Sequence, residues 1–457
     1  MSPAGRRQAA PVRVGIVSLG CAKNLVDSEV MMGHLDRAGA TFVKDPAEAD
    51  VILVNTCGFI EAAREESVQA ILEVAELKTR GRLKRLLVAG CLVQRYPEEM
   101  RLSLPEVDAW IGLDELQRVV SSLSAADLGA SPAPPVAAAP STWIYDHRTP
   151  RRLATPPWTA FVKISEGCDH SCSFCAIPSI RGAFRSRTVE DIVLEAESLA
   201  RSGVREIGLI SQDTSDYGRD LGNQDALVRL LEGLDAVPDL RWIRVHYLYP
   251  NSVTDRLVEA MARLSKVVEY VDLPLQHADG AVLKRMRRGG SAGGHALLLS
   301  RFRAAMPEVA IRTTIIVGFP GETEGEFRAL CDFVSEARFD HLGVFAYSHE
   351  EGTPAFALED DVPAEVKEER RGRLMELQQG IAFRRNAARV GTRAELLVEG
   401  AHPETEHLLV GRTRGQALDV DGQVLVNDGS APPGSFATVE FTDTAGYDLV
   451  GRIVDGA

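Results

Sequence analysis

Six of the seven cysteines fall into two groups of three whose surroundings suit metal chemistry. Cys168, Cys172 and Cys175 stand in GCDHSCSFCAIPSIRG, a C-x3-C-x2-C loop just after the apolar run FVKI. Three thiolates on one short loop can hold three irons of a 4Fe-4S cube and leave the fourth iron without a protein ligand. Such an iron is a position for substrate. Closed zinc sites ask for four ligands, usually as separated pairs. His170 lies inside the loop and offers a fourth, although its place between two cysteines suits a solvent-facing residue better.

The second group is dispersed. Cys21, Cys57 and Cys91 each follow an apolar run (VRVGIVSL, VILVN, RLLVAG), at separations of 36 and 34 residues. If these runs are parallel strands, their C-terminal ends share one sheet edge and the thiols converge. Cysteine is also a common buried residue, but each of the three adjoins a glycine (LGC, TCG, AGC), which suits backbone wrapped closely about a ligand. A second three-cysteine 4Fe-4S cluster is therefore expected. Cys331, at an apolar position in EGEFRALCDFV, has no such partners and reads as a core residue.

The elements needed to position these residues can be read from apolar patterning. The three N-terminal runs lack the alternation of a one-sided sheet and read as buried parallel strands, with helices around Ser28 to Ala38 and Ile60 to Leu77. Together they make a doubly wound α/β domain over 11–125. An Ala/Pro-rich stretch centred on SPAPPVAAAP gives a linker over 126–153, since that composition cannot build a core. From 154 to 388, strands and helices alternate again and suggest a partial TIM-like β/α barrel, closed by a helical stretch from Pro363 to Arg389. Short β-runs between Gly, Pro and Asp turns over 389–457 fit a small five-stranded β-barrel of the OB type. Residues 1 to 10 read as a loose tail.

Composition narrows the setting. The chain has 457 residues, is 45% hydrophobic and carries a formal charge of −14, values suited to a folded protein of more than one domain. There is no apolar run of about 20 residues, and Arg6 and Arg7 precede no signal-like stretch, so a cytoplasmic protein with no membrane role is expected. A reducing compartment turns seven cysteines toward metal ligation or catalysis rather than disulfides. From Ala388 onward there are five arginines, no lysines and eleven acidic residues, a net of −6. Such a barrel suits a basic protein partner better than a nucleic-acid backbone, and nucleic acid is not expected as substrate.

The C-x3-C-x2-C loop with Phe174 before its third cysteine resembles the signature of the radical S-adenosylmethionine superfamily. That resemblance implies that S-adenosylmethionine chelates the open iron through its amino and carboxylate groups, and that one electron cleaves it to a 5'-deoxyadenosyl radical. Cys168, Cys172 and Cys175 then carry the catalytic cluster. Phe174, with Gln212, Gln276, Gly318 and Glu322 at later strand ends, are the candidate contacts to the bound nucleoside, because barrel sites form on that face. The whole chain, with its cysteine-bearing α/β domain and a C-terminal barrel of the TRAM type, resembles the methylthiotransferase family. Within it, SLGCAKNLVDSE, SQDTSDYGRDL, DLPLQHADG, RTTIIVGFPGET and AYSHEEGTPA look like the RimO branch.

The branch resemblance implies insertion of a methylthio group at the β-carbon of an aspartate of small-subunit ribosomal protein twelve. Attack on an unactivated C–H bond needs a cofactor's reactivity. The expected cofactors are two 4Fe-4S clusters and S-adenosylmethionine, as radical source and as methyl donor, with a flavodoxin- or ferredoxin-type electron donor; the sulfur donor stays open. Two rivals remain at this point: an adenosine next to a transfer RNA anticodon as substrate, and a non-catalytic iron-sulfur sensor or RNA-binding protein. Two cubes predict about eight irons per chain in anaerobically prepared protein, measured as iron and acid-labile sulfide; a value near one metal per trio would count against them.

Overall fold

A computed structural model describes residues 11–123 and 139–456. The tail expected over 1 to 10 and the proline-rich heart of the expected linker, up to residue 138, lie outside the described residues. Two compact units result, one ending at Ala154 and including Ala176–Ala183, the other made of Thr155–Cys175 and Phe184 onward.

The first unit is built on a parallel sheet of five strands, β1 (Arg13–Ser18), β2 (Thr41–Phe42), β3 (Val51–Thr56), β4 (Arg85–Gly90) and β5 (Ala109–Ile111), in the order β2-β1-β3-β4-β5. Every residue of β3 and β4 is buried, which explains their unbroken apolar runs. The expectation from apolar runs omitted β2 and β5, which have two and three residues and are too short to carry a periodic signal. Helices α1 (Ala22–Arg37), α2 (Glu61–Arg80), α3 (Cys91–Arg95), α4 (Pro97–Ser103) and α5 (Ile177–Arg181) complete the unit. Ile52, Val54, Ile71, Leu86, Val88, Leu92 and Val93 form its core. In this strand order the winding reverses between β1 and β3, and doubly wound folds hold their ligands in the crevice beyond the strand ends at that point.

In the second unit, six parallel strands follow one another: β6 (Thr159–Lys163), then after a short β7 (Ser165–Glu166) and β8 (Arg185–Ser186) hairpin, β9 (Glu206–Ile210), β10 (Trp242–Val245), β11 (Tyr270–Asp272), β12 (Ala310–Val317) and β13 (His341–Ala346). They pair as β6-β9-β10 and β11-β12-β13, joined by an isolated parallel bridge from Ile243 to Val267, with β6 and β13 at the edges. The result is a partial β/α barrel. Its helices are α6 (Val189–Arg201), α7 (Ala226–Asp235), α8 (Asp255–Arg263), α9 (Gly280–Arg285), α10 (Ala292–Ala305), α11 (Glu324–Ala337) and α12 (Ala364–Arg389). Threonine or serine caps start α6, α8, α10 and α11, the last with a full capping box between Thr323 and Glu326, each cap contributing about 1 kcal/mol. Among the described residues, no helix is long and apolar enough to cross a membrane.

Strands β14 (Arg393–His402), β15 (Thr405–Arg412), β16 (Val424–Asp428), β17 (Phe436–Ala445) and β18 (Asp448–Gly456) close into a small barrel in the order β14-β15-β16-β18-β17, around Leu396, Val398, Val424, Val439 and Phe441. This barrel packs against the N-terminal ends of the parallel strands. Leu397 and Ala417 join Trp242, Tyr270 and Ala310 in one apolar cluster. Arg412 and Arg244 both grip Glu206, Nη2 of Arg412 at 2.6 Å and Nε of Arg244 at 3.0 Å. Burial raises the Glu206 carboxyl, but the two guanidinium groups outweigh it and hold its pKa at about 2. Replacing Arg412 with Met leaves this buried carboxylate to Arg244 alone and is expected to cost up to roughly 3–5 kcal/mol, read as a lowered denaturation midpoint, whereas an unchanged midpoint would contradict a tightly docked small barrel.

Candidate metal centres

The sheet delivers Cys21, Cys57 and Cys91 to the switch-point crevice. Cys21 is the N-cap of α1, Cys57 directly follows β3, and Cys91 opens α3 after Gly90. The backbones around them are close. A Cβ built on Gly20, which has φ +88°, would lie 2.9 Å from the Cys57 Cβ and 3.2 Å from its sulfur, and one built on Gly58 would meet the backbone of Leu92 at 2.7 Å. Glycine is required at both for that reason. Ser67 of α2 pins Cys57, its Oγ accepting from the Cys57 N–H at 3.1 Å and donating to the Cys57 carbonyl at 3.0 Å.

Asn24 ties the three segments together. Its amide donates to the Leu19 carbonyl at 3.1 Å and the Thr56 carbonyl at 2.8 Å, and its Oδ1 lies 3.4 Å from the Cys91 sulfur. Behind it, Asn55 donates to the Asn24 carbonyl and to Ser28. Asn24, Asp27, Ser28 and Glu29 are all buried on α1. Asn24 and Ser28, four residues apart, face the strand ends, and the run of buried polar residues is a signal present in NLVDSE that cysteine spacing alone did not reveal. Glu29 takes Arg151 at 2.6 Å and the N–H of Ala154 at 2.8 Å, so the segment before the second unit is fastened to α1.

The electrostatics of this trio are uneven. Burial raises the Cys91 thiol to about 12 despite Arg181, with Cys21 and Cys57 each pushing it further up. Burial likewise raises Cys57. Desolvation also works against Cys21, but Lys23, Arg181 and the N–H groups at the start of α1 outweigh it, and its thiol falls below the ordinary value. The mutual influence of the three thiols reflects their convergence. Among the described residues the ligand set drawn together within 4.8 Å is His170, Asp213 and Asp216, and neither cysteine trio meets that spacing.

Cys168, Cys172 and Cys175 lie beyond the C-terminal end of β6, within the second unit. Their loop is fixed by bonds to later segments. Ser173 donates its N–H to the Met286 carbonyl at 2.9 Å and its Oγ to that of Arg285 at 2.9 Å, and it accepts from Ala355 at 2.7 Å. His170 is held rather than solvent-facing: its Nε2 lies 2.6 Å from Asp213 and its ring stacks on Tyr249 at 4.0 Å. Arg288 approaches the Cys172 sulfur at 3.6 Å and lies over the same Tyr249 ring. Burial, with Asp213, Cys172 and Asp169, raises the Cys168 thiol to about 12.

The remaining candidates sit on the same rim but differ in what they face. Phe174 packs against the buried cluster of Val282, Met286, Phe319, Tyr347 and Ala355. Gln212 donates at 2.7 Å to Glu166, which also takes Lys163 at 2.6 Å, and the Gln212 carbonyl is buried without a partner. Gln276 adopts φ +70°, rare outside glycine, and bridges to β12. Gly318 has φ +72°, and a Cβ there would strike the Lys367 side chain. Glu322 spends its carboxylate on the N–H of Gly318 at 2.8 Å and on Arg370 at 2.9 Å. Its observed contacts hold the turn.

Three family models match in order: an uncharacterized protein family, UPF0004, over 13–112, the Radical SAM superfamily over 162–334, and the TRAM domain over 390–454. The chain is 51% identical to a ribosomal protein uS12 methylthiotransferase RimO of Anaeromyxobacter sp. (strain Fw109-5), covering 97% of this chain and 94% of the relative. To the protein of that name from Trichlorobacter lovleyi it is 47% identical, over 98% and 99%. Among solved structures, a radical S-adenosylmethionine methyltransferase, TsrM, from Kitasatospora setae with cobalamin and a [4Fe-4S] cluster bound shares the fold at TM-score 0.53 and 16% identity, over 76% of this chain and 77% of that one.

The contacts around Gly20 predict that Gly20→Ala, which forces a Cβ into Cys57 and strains a left-handed residue by about 1–3 kcal/mol, lowers iron content toward half. The count in a variant also lacking Cys168, Cys172 and Cys175 should fall near zero; iron retained there would show that the crevice still binds and that Gly20 is not required for it.

Proposed function

The chain belongs to the ribosomal protein uS12 methylthiotransferase RimO family, and we propose that it methylthiolates an aspartate of that small-subunit ribosomal protein with its two thiol trios acting as separate stations. It is a radical S-adenosylmethionine methylthiotransferase. The observation that carries the two-station reading is the convergence of Cys21, Cys57 and Cys91 at the switch point, with glycine and Asn24 holding the strand ends around them.

Cys168, Cys172 and Cys175 would hold one 4Fe-4S cluster and Cys21, Cys57 and Cys91 the other. When bound, these clusters and S-adenosylmethionine supply an electron, a 5'-deoxyadenosyl radical and a methylthio group. The protein's own part is to bind, orient and exclude water. Arg288, at 3.6 Å from the Cys172 sulfur, places a donor and a positive charge beside the first trio. The His170–Asp213 pair and the Ser173 bonds keep that loop in one geometry, and rigid placement of reacting groups is where much of a barrier is lowered. Gln212, Gln276 and Gly318 line the strand-end rim and are the proposed contacts to the nucleoside, with Phe174 and Glu322 shaping the loop and turn behind them.

The substrate would be a loop of a basic protein in the reducing cytoplasm, and a flavodoxin or ferredoxin would deliver the electron.

Cys172→Ala is expected to abolish S-adenosylmethionine cleavage while leaving about four irons per chain. Cys57→Ala should keep cleavage, read as 5'-deoxyadenosine, and yield no methylthio product by mass spectrometry of the ribosomal protein. Normal product from Cys57→Ala would refute separate stations, and a deletion strain losing the mark from transfer RNA instead would refute the substrate.

A further inference from the structure

We propose that Arg181 is a positioning residue of the Cys21, Cys57 and Cys91 site, donating to the Cys91 sulfur and supplying the counter-charge that sets how readily a cluster there is reduced. This deepens, and rests on, the assignment of a cluster to that trio.

Arg181 closes α5, a helix that belongs with the first unit although it begins two residues after Cys175. The residue is 2% exposed. Its Nη2 lies 3.3 Å from the Cys91 sulfur, 2.6 Å from Asn24 Oδ1 and 3.0 Å from Asp27 Oδ2. Ile180 and Ala176 pack with Cys91 and Leu113 in a small apolar cluster, which fixes the helix over the crevice. Asn24 and Asp27 lie three residues apart on α1, and so present their oxygens on one face.

A buried ion pair with Asp27 would by itself fasten α5 to α1. The geometry does more than that. The same nitrogen that meets Asp27 also meets the sulfur and the oxygen of the Asn24 amide whose nitrogen bonds the strand ends, so the cation is aimed at the trio. Three thiolates on an iron-sulfur cube leave it with net negative charge, one unit greater once reduced, and such charge in a buried place requires a partner. Hydrogen bonds to cluster sulfurs and nearby charge are among the terms that set reduction potential. Lys23, also buried, is the second cation in reach of the site. Chain continuity thus makes the segment after one trio the carrier of the other trio's counter-charge.

The test uses the full chain with Cys168, Cys172 and Cys175 replaced by Ala and its remaining site reconstituted anaerobically with iron and sulfide. Iron content and the midpoint of the reduced-cluster EPR signal are measured with Arg181, Arg181→Lys, Arg181→Met and Asp27→Asn. Arg181→Met should disfavour reduction at least tenfold, a shift of 59 mV to more negative potential for one electron; Lys should recover part of it, and Asp27→Asn should shift it the other way. Full iron with an unmoved midpoint in Arg181→Met overturns the proposal. If Arg181→Met holds no iron, Arg181→Lys decides: a retained cluster supports the charge role, and an empty site means that only packing was lost. A parent triple variant that binds no iron overturns the cluster assignment itself and this inference with it.

Discussion

Gathering three thiols at one point, with their charge taken out of water, is the constraint on which the first unit is organised. Each thiolate raises the energy of the others, and burial raises it again. The backbone that carries them must therefore be held by the fold itself. Parallel strands provide it, because their hydrogen-bonded ladders fix the three C-terminal ends in register. A crevice at the reversal of winding is where doubly wound folds hold their ligands. Gly20 and Gly58 let the loops approach, Ser67 and Asn24 hold the carbonyls and amides that leave the sheet, and two helix N-termini face Cys21 and Cys91.

The second trio solves the same problem with a single loop. Its sulfurs are at most seven residues apart, so no sheet register is needed to bring them together. Shape has to come from outside the loop instead: from Met286 and Arg285 through Ser173, from Asp213 and Tyr249 through His170, and from the apolar pocket that seats Phe174. These partners lie after five different strands, β9 to β13. A change in any of them therefore reaches the cysteines indirectly, through the loop's geometry and not through its ligands.

This contrast explains what could be read in advance. Cysteine spacing and unbroken apolar runs singled out both trios as candidates and located the strands that carry the dispersed one, since those signals depend on local chemistry and burial. The edge strands β2 and β5 are too short to show a period. Arg181 was hidden for a different reason: nothing in SIRG sets that arginine apart, and its meaning arises only when α5 folds over Asn24 and Asp27, more than 150 residues earlier. Buried polar residues on α1 were the one available hint. The fixed orientation of His170 was likewise invisible, because Asp213 and Tyr249 reach it through the barrel.

The small C-terminal barrel shows how charge read from composition changes meaning once it is placed. Its excess of acidic residues fits a basic partner, yet several of those carboxylates are already engaged: Glu399 with Arg412, Glu440 with Arg393 and Arg452, Glu395 with Arg241 and the Trp242 indole, and Asp421 with the Tyr270 hydroxyl. Two of these pairs reach across to the floor of the parallel strands. The barrel therefore uses part of its charge to dock, at the end of the strands opposite to Cys168. β12 has eight residues, and at about 3.3 Å each they put roughly 25 Å between that floor and the cysteine rim. At that distance a screened acidic surface cannot orient a substrate loop at the rim by direct contact, because charges in salt act over about 8–10 Å. What it can do is close the N-terminal end of the parallel-strand barrel, where Leu397 and Ala417 pack with Trp242, Tyr270 and Ala310.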